Sequence, residues 1–274
     1  MKYIYLITIL ITYSIGQAMA SVPPGPGDAI PGDVVVGDGA FIEQIGDNHE
    51  ALIDQTGYHA GRIYQQGDGP GGNYARLIQV GENHTGFISQ VGDDNTGVIN
   101  VEGIGHVSVI VQEGDEHNIQ FSMQGENNTA DIRQFGTSDH LVGFADDDEL
   151  SIFQSGNNNE LYSVQIGEGG GHLLTTLGDH GYIQDGHENL IDVWQEGGSH
   201  IARLLQEGDG HTIILLQHDS ENVAEIGQDG NGHWANVDQN GTGNRVEITQ
   251  FGEGHWSNVT QYGNNNTATI TQSN

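Results

Sequence analysis

The side chains in this sequence that could do chemistry are carboxylates, imidazoles and amides. The chain carries 38 Asp and Glu against 6 Lys and Arg, a formal net charge of −32, with 14 His and no Cys. An acid-x-His pair recurs as Asp47-x-His49, Glu82-x-His84, Asp115-x-His117, Asp209-x-His211 and Glu253-x-His255. Imidazole and carboxylate together suit a divalent ion, but a metal site needs a compact ligand set of fixed number. These pairs are strung along the chain, so each His reads as a polar turn residue in place of Asn, and neither a metal site nor a cofactor is expected. Hydrolysis or elimination on a polysaccharide needs carboxylates or bases converging at one place, on loops long enough to build it. The acids here are spread evenly and no catalytic residue stands out, so the expectation is not an enzyme. Such acidity repels phosphate, which excludes nucleic-acid binding by charge attraction. Without Cys there is no disulfide framework.

The amides are more informative, because they are periodic. From Gln44 to Gln272 a Gln-x-Gly element returns about every eleven residues, and of 21 anchor positions 18 are Gln, the exceptions being Val101, Met123 and Thr176. Two residues before the anchor the side chain is apolar, as at Ile42, Ile53, Ile63, Ile132, Val237, Ile248, Val259 and Ile270. Four before it is usually small or apolar, and six before it is usually Asn or His. Alternation at period two makes each unit a strand with Asn, Ala, Ile and Gln on one side. Gly with its acidic or Asn neighbours then makes the turn.

One such strand buries too little to stand alone, so units must stack. Two units form a 22-residue strand-turn-strand rung, seen where GNGHWANVDQNGTGNRVEITQ precedes GEGHWSNVTQYGNNNTATITQ. The expected fold is all-β, a β-solenoid of about eleven rungs with amide ladders at ~4.8 Å per step. Irregular units are expected near 65–79, 134–154 and 176–184, as bulged or broken rungs within one domain.

The organisation follows. Residues 1–20 read as a secretory signal peptide, with Lys2, an apolar run from Ile4 to Ile15 and Ala18-Met19-Ala20 as the small-x-small site; the run is short for a membrane span, so no membrane insertion is expected after its removal. Residues 21–36 hold all but one of the five prolines and read as a flexible Pro/Gly-rich leader. Residues 37–274 are the repeat domain.

The repeat resembles the curlin repeat of curli amyloid fibre subunits. Gln261-Tyr-Gly263-Asn-Asn-Asn266-Thr-Ala268-Thr-Ile-Thr-Gln272 matches Gln-x-Gly-x-x-Asn-x-Ala-x-x-x-Gln at every defined position. The resemblance implies a secreted, self-assembling subunit of extracellular cross-β fibres on the cell surface, serving biofilm matrix, adhesion and surface colonisation. It further implies export through a dedicated outer-membrane channel, with chaperone and nucleator partners. The positions that would carry assembly by this resemblance are Gln228, Gln239, Asn244, Gln250, Gln261, Asn266 and Gln272. The chain departs from the family in putting His at many Asn positions, in its larger number of repeats, in its acidity and in its Pro-rich leader.

Other readings remain open from sequence alone: a monomeric secreted β-solenoid acting as an adhesin or divalent-metal-binding surface protein, or a β-helix enzyme acting on polysaccharide. An ice-binding solenoid would need a repeated outward Thr array, and only Thr249, Thr260 and Thr271 conform. The column just before the anchors turns apolar at Phe153, Val164, Ile183, Trp194, Leu205 and Leu216, joined by Ile214. An exposed apolar patch on an acidic surface marks an interaction site, so these residues are the expected lateral interface between fibres. His211, His233 and His255 are expected to share one column.

Overall fold

A computed structural model describes residues 39–67, 69–146, 149–166, 173–176 and 183–274. The expected signal peptide and leader lie outside the described residues. The described chain is strand and turn, wound so that each unit crosses one face of a flat stack and the next unit returns across the other.

Face A is built from 39–46, 60–67 and 85–91, followed by Val107–Asp115, Thr129–Thr137, Glu149–Asn157, the split strand Leu173–Thr176 with Gln184–His187, Ile201–Asp209, Val223–Asn231, Arg245–Glu253 and Thr267–Ser273. Face B is built from 50–57 and 74–82, followed by Thr96–Ile104, Asn118–Gln124, His140–Asp146, Glu160–Ile166, Leu190–Gly198, Thr212–Ser220, Trp234–Thr242 and Trp256–Tyr262. The strands Glu50–Gly67 and Tyr74–Val91 are each bent and serve both faces. The described pairing is parallel and, apart from one shift between Tyr58 and His59, in register, so that Gln206 lies on Gln228, Gln228 on Gln250 and Gln250 on Gln272. The β-solenoid expected from the repeat is the observed fold.

The inward residues of the two faces form one continuous core. Ile63, Leu77, Ile88, Ile99, Ile132 and Ile248 are all fully buried, and each shares apolar neighbours with the rungs above and below, which is why no single unit could fold alone. The glycine two residues after each anchor has a specific cause. Gly230 has φ +127°, and a Cβ there would meet the carbonyl oxygen of Gly252 in the next rung at 2.0 Å. Both the backbone angle and the rung-to-rung approach therefore demand glycine.

One irregular unit differs from the sequence expectation. Thr176 is not an anchor: it pairs with Leu204, an inward apolar position, while Gln184 pairs with Gln206. The strand is a single unit interrupted by 177–182, which lie outside the described residues. The anchor missing between 134 and 154 is Ala145, paired with Met123. An insertion inside a strand and a small residue in place of Gln each erase the local signal, and two adjacent errors leave the total unchanged.

Candidate functional site

The functional candidates are columns of side chains that run along the axis. On face A the column of Gln anchors is unbroken from Gln44 to Gln272. Each Nε2 donates to the Oε1 of the next rung toward the C-terminus, at distances from 2.6 to 3.1 Å. The second N–H reaches a backbone carbonyl of face B, as from Gln206 to Leu190 and from Gln228 to Thr212, both 3.1 Å. From Gln65 to Gln250 these amides are buried, and satisfied ladders of this kind are the stabilising element of stacked cross-β structure.

On face B the same ladder is interrupted. Gln55 donates to Gln79 at 2.7 Å; the anchors that follow are Val101, Met123 and Ala145; the ladder then resumes from Gln165 through Gln195, Gln217 and Gln239 to Gln261. The two loose ends are left without partners, Nε2 of Gln79 and Oε1 of Gln165. Between them Phe121 and Met123 fill the core. Sequence reading noted Val101 and Met123 as exceptions but, taking Thr176 for an anchor, missed that the departures fall together on one face.

The Asn and His positions form two further columns, one in each turn. In the turn before face B, Asn73, Asn95, His117, Asp139, Asn159, Asn189, His211, His233 and His255 each donate their backbone N–H to the side chain of the residue one rung earlier, beginning with His49. A backbone N–H only donates, so the Nδ1 of His211 and His233 accepts and carries no proton. The proton is on Nε2, which donates to the carbonyl of Glu207 at 3.1 Å and of Asp229 at 3.0 Å. Asn does the same with one amide: Asn222 Oδ1 accepts from the N–H of Asn244, and its Nδ2 donates to the His218 carbonyl. His thus replaces Asn because its neutral Nε2–H tautomer presents an acceptor and a donor in the same two directions. The rings stack at 5.0 Å between His211 and His233 and 5.1 Å between His233 and His255, as the shared column required. In the turn before face A, His59, His84 and His106 form a like run. His59 stands six residues before Gln65, the usual Asn or His position.

Burial pushes His117, His211 and His233 below the ordinary imidazole range, and His84 down to about 4. With Nδ1 accepting and Nε2 donating, the paired imidazoles offer no lone pair to a metal. Among the described residues no group of three His, Cys, Asp or Glu is placed to hold one. Asp139 occupies an Asn position and is fully buried. Its Oδ1 accepts from the Asn159 N–H at 2.9 Å, its Oδ2 has no hydrogen-bond partner and lies 3.7 Å from His117 Nδ1, and burial pushes its carboxyl up to about 7.

The seven assembly positions fall into three of these columns. Gln228, Gln250 and Gln272 are the last three anchors of face A; Gln239 and Gln261 are the last two of face B. Asn244 and Asn266 are the end of the turn column, with both the N–H and Nδ2 of Asn266 donating to Asn244 Oδ1 at 3.0 Å. The expected lateral residues do not form one column. Consecutive units alternate faces, so Phe153, Ile183 and Leu205 lie on face A, while Val164, Trp194 and Leu216 lie on face B with Ile214 beside them. Ile183 is 1% exposed and Leu205 7%, each with a large apolar residue in the adjoining rung, so neither offers a surface. Trp194, at 39%, is the most open of the set.

The last carboxylate side chain of the sequence is Glu253; the last two described strands, Trp256–Tyr262 and Thr267–Ser273, carry no charged side chain. At the other end stand Glu43, Asp47, Glu50 and Asp54. Among the described residues no helix is long and apolar enough to cross a membrane.

Residues 186–218, 220–252 and 241–273 match the family described as curlin associated repeat. No curated protein matches the chain. The C-terminal part of the chain therefore carries curlin repeats, and the same rung register continues back to Gly39.

Proposed function

We propose that this chain is a secreted structural subunit that assembles end to end into curli-like extracellular fibres. The observation that carries the reading is the rung-on-rung register of the described stack, with the Gln column of face A unbroken from Gln44 to Gln272. The last described strands present the same inward rows, Ser257, Val259, Gln261 and Ala268, Ile270, Gln272, that each rung presents to the next. A chain of net charge −32 repels its own copies, and the strands Trp256–Tyr262 and Thr267–Ser273 carry no charged side chain to add to that repulsion where they meet another copy. Unpaired parallel edges are templates for pairing with another chain, and the side-chain columns set the register of that pairing. Fibres of this kind serve biofilm matrix, adhesion and surface colonisation. A curli-type secretion channel, a chaperone and a nucleator subunit are the partners this role calls for. The half-exposed group Trp194, Ile214 and Leu216 on face B, with Val164 beside it, is the place for side-by-side contact between fibres.

Replacing Val259 and Ile270 by Asp tests the reading. Both residues lie in the last rung, so the double variant keeps the solenoid strand signal in circular dichroism while losing fibre growth in a pelleting assay. Unchanged growth would remove these two strands from the mechanism.

A further inference from the structure

Four consecutive strands of face B, His140–Asp146, Glu160–Ile166, Leu190–Gly198 and Thr212–Ser220, pair one on the next in register. The middle of their outer side is an apolar strip made by Val142, Phe144, Val164, Trp194, Ile214 and Leu216. None of these fills the core, whose inward rows here include Leu161, Ile191 and Ile213. Val142 is 37% exposed and Trp194 39%, and the other four are half-buried.

Charge rims this strip and enters it at one point. Glu160 and Glu196 stand on its two rims, each in register with an imidazole one strand away, Glu160 with His140 and Glu196 with His218. His218 Nδ1 lies 3.4 Å from Glu196 Oε2. Asp192 lies inside the strip, between Tyr162 and Ile214 and beside Trp194, and burial already holds its carboxyl above the ordinary carboxylate range. Burial likewise pushes the Tyr162 phenol up; it donates to Glu160 Oε2 at 3.3 Å. Asp146 and Asp219 fall at the ends of their strands. Of the two flanking strands, Asn118–Gln124 carries no titratable side chain and Trp234–Thr242 brings Asp238, paired with Leu216. The four strands contain no Lys or Arg.

We propose that this strip closes against the same strip of a second copy in a neighbouring fibre, and that mild acid closes it. The inference rests on the assembly and side-by-side contact proposed above and adds the partner surface and its control. A self-paired contact must be self-complementary, and here apolar columns lie on apolar columns whichever way the second fibre runs. Size decides where the contact forms. Four rungs at about 4.8 Å and six residue steps at about 3.3 Å make a patch of roughly 400 Å², against about 800 Å² per partner in a stable interface. One pair of chains therefore does not hold, whereas a fibre presents the strip once per copy and binds through many at once. Closure takes Asp192 out of water and brings the rim carboxylates of the two copies together along its edges. Desolvation and like charge both disfavour the ionised carboxyl, so the closed contact holds more protons than the open one and tightens as pH falls. Protonation of His140 and His218 adds positive charge beside Glu160 and Glu196 in the same direction.

Acid also neutralises carboxylates elsewhere, so variants of equal charge are compared. Fibres of the full-length chain are grown at pH 7.5, scored by pelleting and by bundle width in electron micrographs, then moved to pH 5.5 at constant salt. Asp192→Asn with Glu196→Gln removes two carboxylates from the strip; Asp229→Asn with Glu247→Gln removes two exposed ones from face A. The parent is expected as single fibres at pH 7.5 and as bundles severalfold wider at pH 5.5. The face B pair bundles already at pH 7.5, and the face A pair behaves as the parent. Ile214→Ser with Leu216→Ser grows as the parent does and fails to bundle at pH 5.5. Equal widths for the two charge pairs at pH 7.5, whether wide or narrow, would overturn the contact while leaving end-to-end assembly intact. Serine-variant fibres that bundle like the parent would do the same; if that variant does not grow, the two charge pairs decide alone. A parent chain that forms no fibres would overturn the assembly reading itself and this inference with it.

Discussion

Asp139 shows how closely the turn columns constrain a single residue. It stands where Asn would donate and accept, and only its protonated form has a hydrogen to donate. Its folded-state carboxyl lies at about 7 against an ordinary 3.8. The folded state therefore holds this proton longer than the unfolded chain, and stability falls as pH rises between those values. Asp139→Asn supplies the donor at every pH. Its melting temperature should exceed that of the parent at pH 8, by an amount corresponding to about 1–3 kcal/mol for one satisfied buried group, and the two should converge near pH 4. A variant no more stable than the parent at pH 8 would contradict the Asn-mimic account.

The imidazoles carry the opposite sign. His84, His117, His211 and His233 are held below the ordinary 6.5 by burial, so the unfolded chain takes up protons first as pH falls. The stability they contribute is present above 6.5 and is lost on acidification toward the folded values, about 4 for His84. A second proton would also set an Nδ1–H against the backbone N–H it now accepts. Acid protonates repelling carboxylates in the same interval, and a paired comparison separates the effects. His211→Asn with His233→Asn should lose less of its urea midpoint between pH 7.5 and 5 than the parent does. Equal losses would remove the imidazole columns from the acid response.

At the scale of the element, the turn separates two glycines that look alike in sequence. A Cβ on Gly230 would meet the next rung's carbonyl, whereas one on Gly210, with φ +67°, would have nothing within 4 Å. The equivalents of Gly210 in other rungs include Glu116, Ser138, Glu188, Ser199 and Glu221, all at positive φ. Gly210→Ala should cost about 1–2 kcal/mol, the left-handed penalty alone. Gly230→Ala must in addition displace a neighbouring strand and should break the rung, read as a collapse of its thermal transition. Similar melts for the two would refute the close approach.

The strand itself was legible in the sequence because every unit repeats the same alternation, and the glycine after each anchor marked its end. What hid was whatever depends on counting units. Thr176 stood at a plausible spacing, yet the insertion 177–182 splits its strand and moves the anchor to Gln184. The same count decides the face, so Phe153 and Val164 read as neighbours although they lie on opposite sides. Burial of Leu205 was not legible either, since it depends on Ile183 in the adjoining rung and not on its own unit. The tautomer of the imidazoles had a signal, the free exchange of His with Asn, but its meaning needed the backbone N–H one rung away.

For the whole molecule, repulsion and stacking compete along one axis. Carboxylates recur in rungs spaced closer than the Debye length of about 8 Å at physiological salt, so each added copy works against its own charge. Raising salt from about 10 to 300 mM should shorten the lag before fibre growth severalfold at pH 7.5; equal lag times would mean that charge does not limit assembly.

Fibre diffraction on the purified, incubated chain tests the assembly most directly. The account predicts orientable fibres with a reflection at about 4.7–4.8 Å along the fibre axis, from rungs stacked without interruption through the junctions. A protein that stays monomeric after days at micromolar concentration, with no meridional reflection, would contradict it.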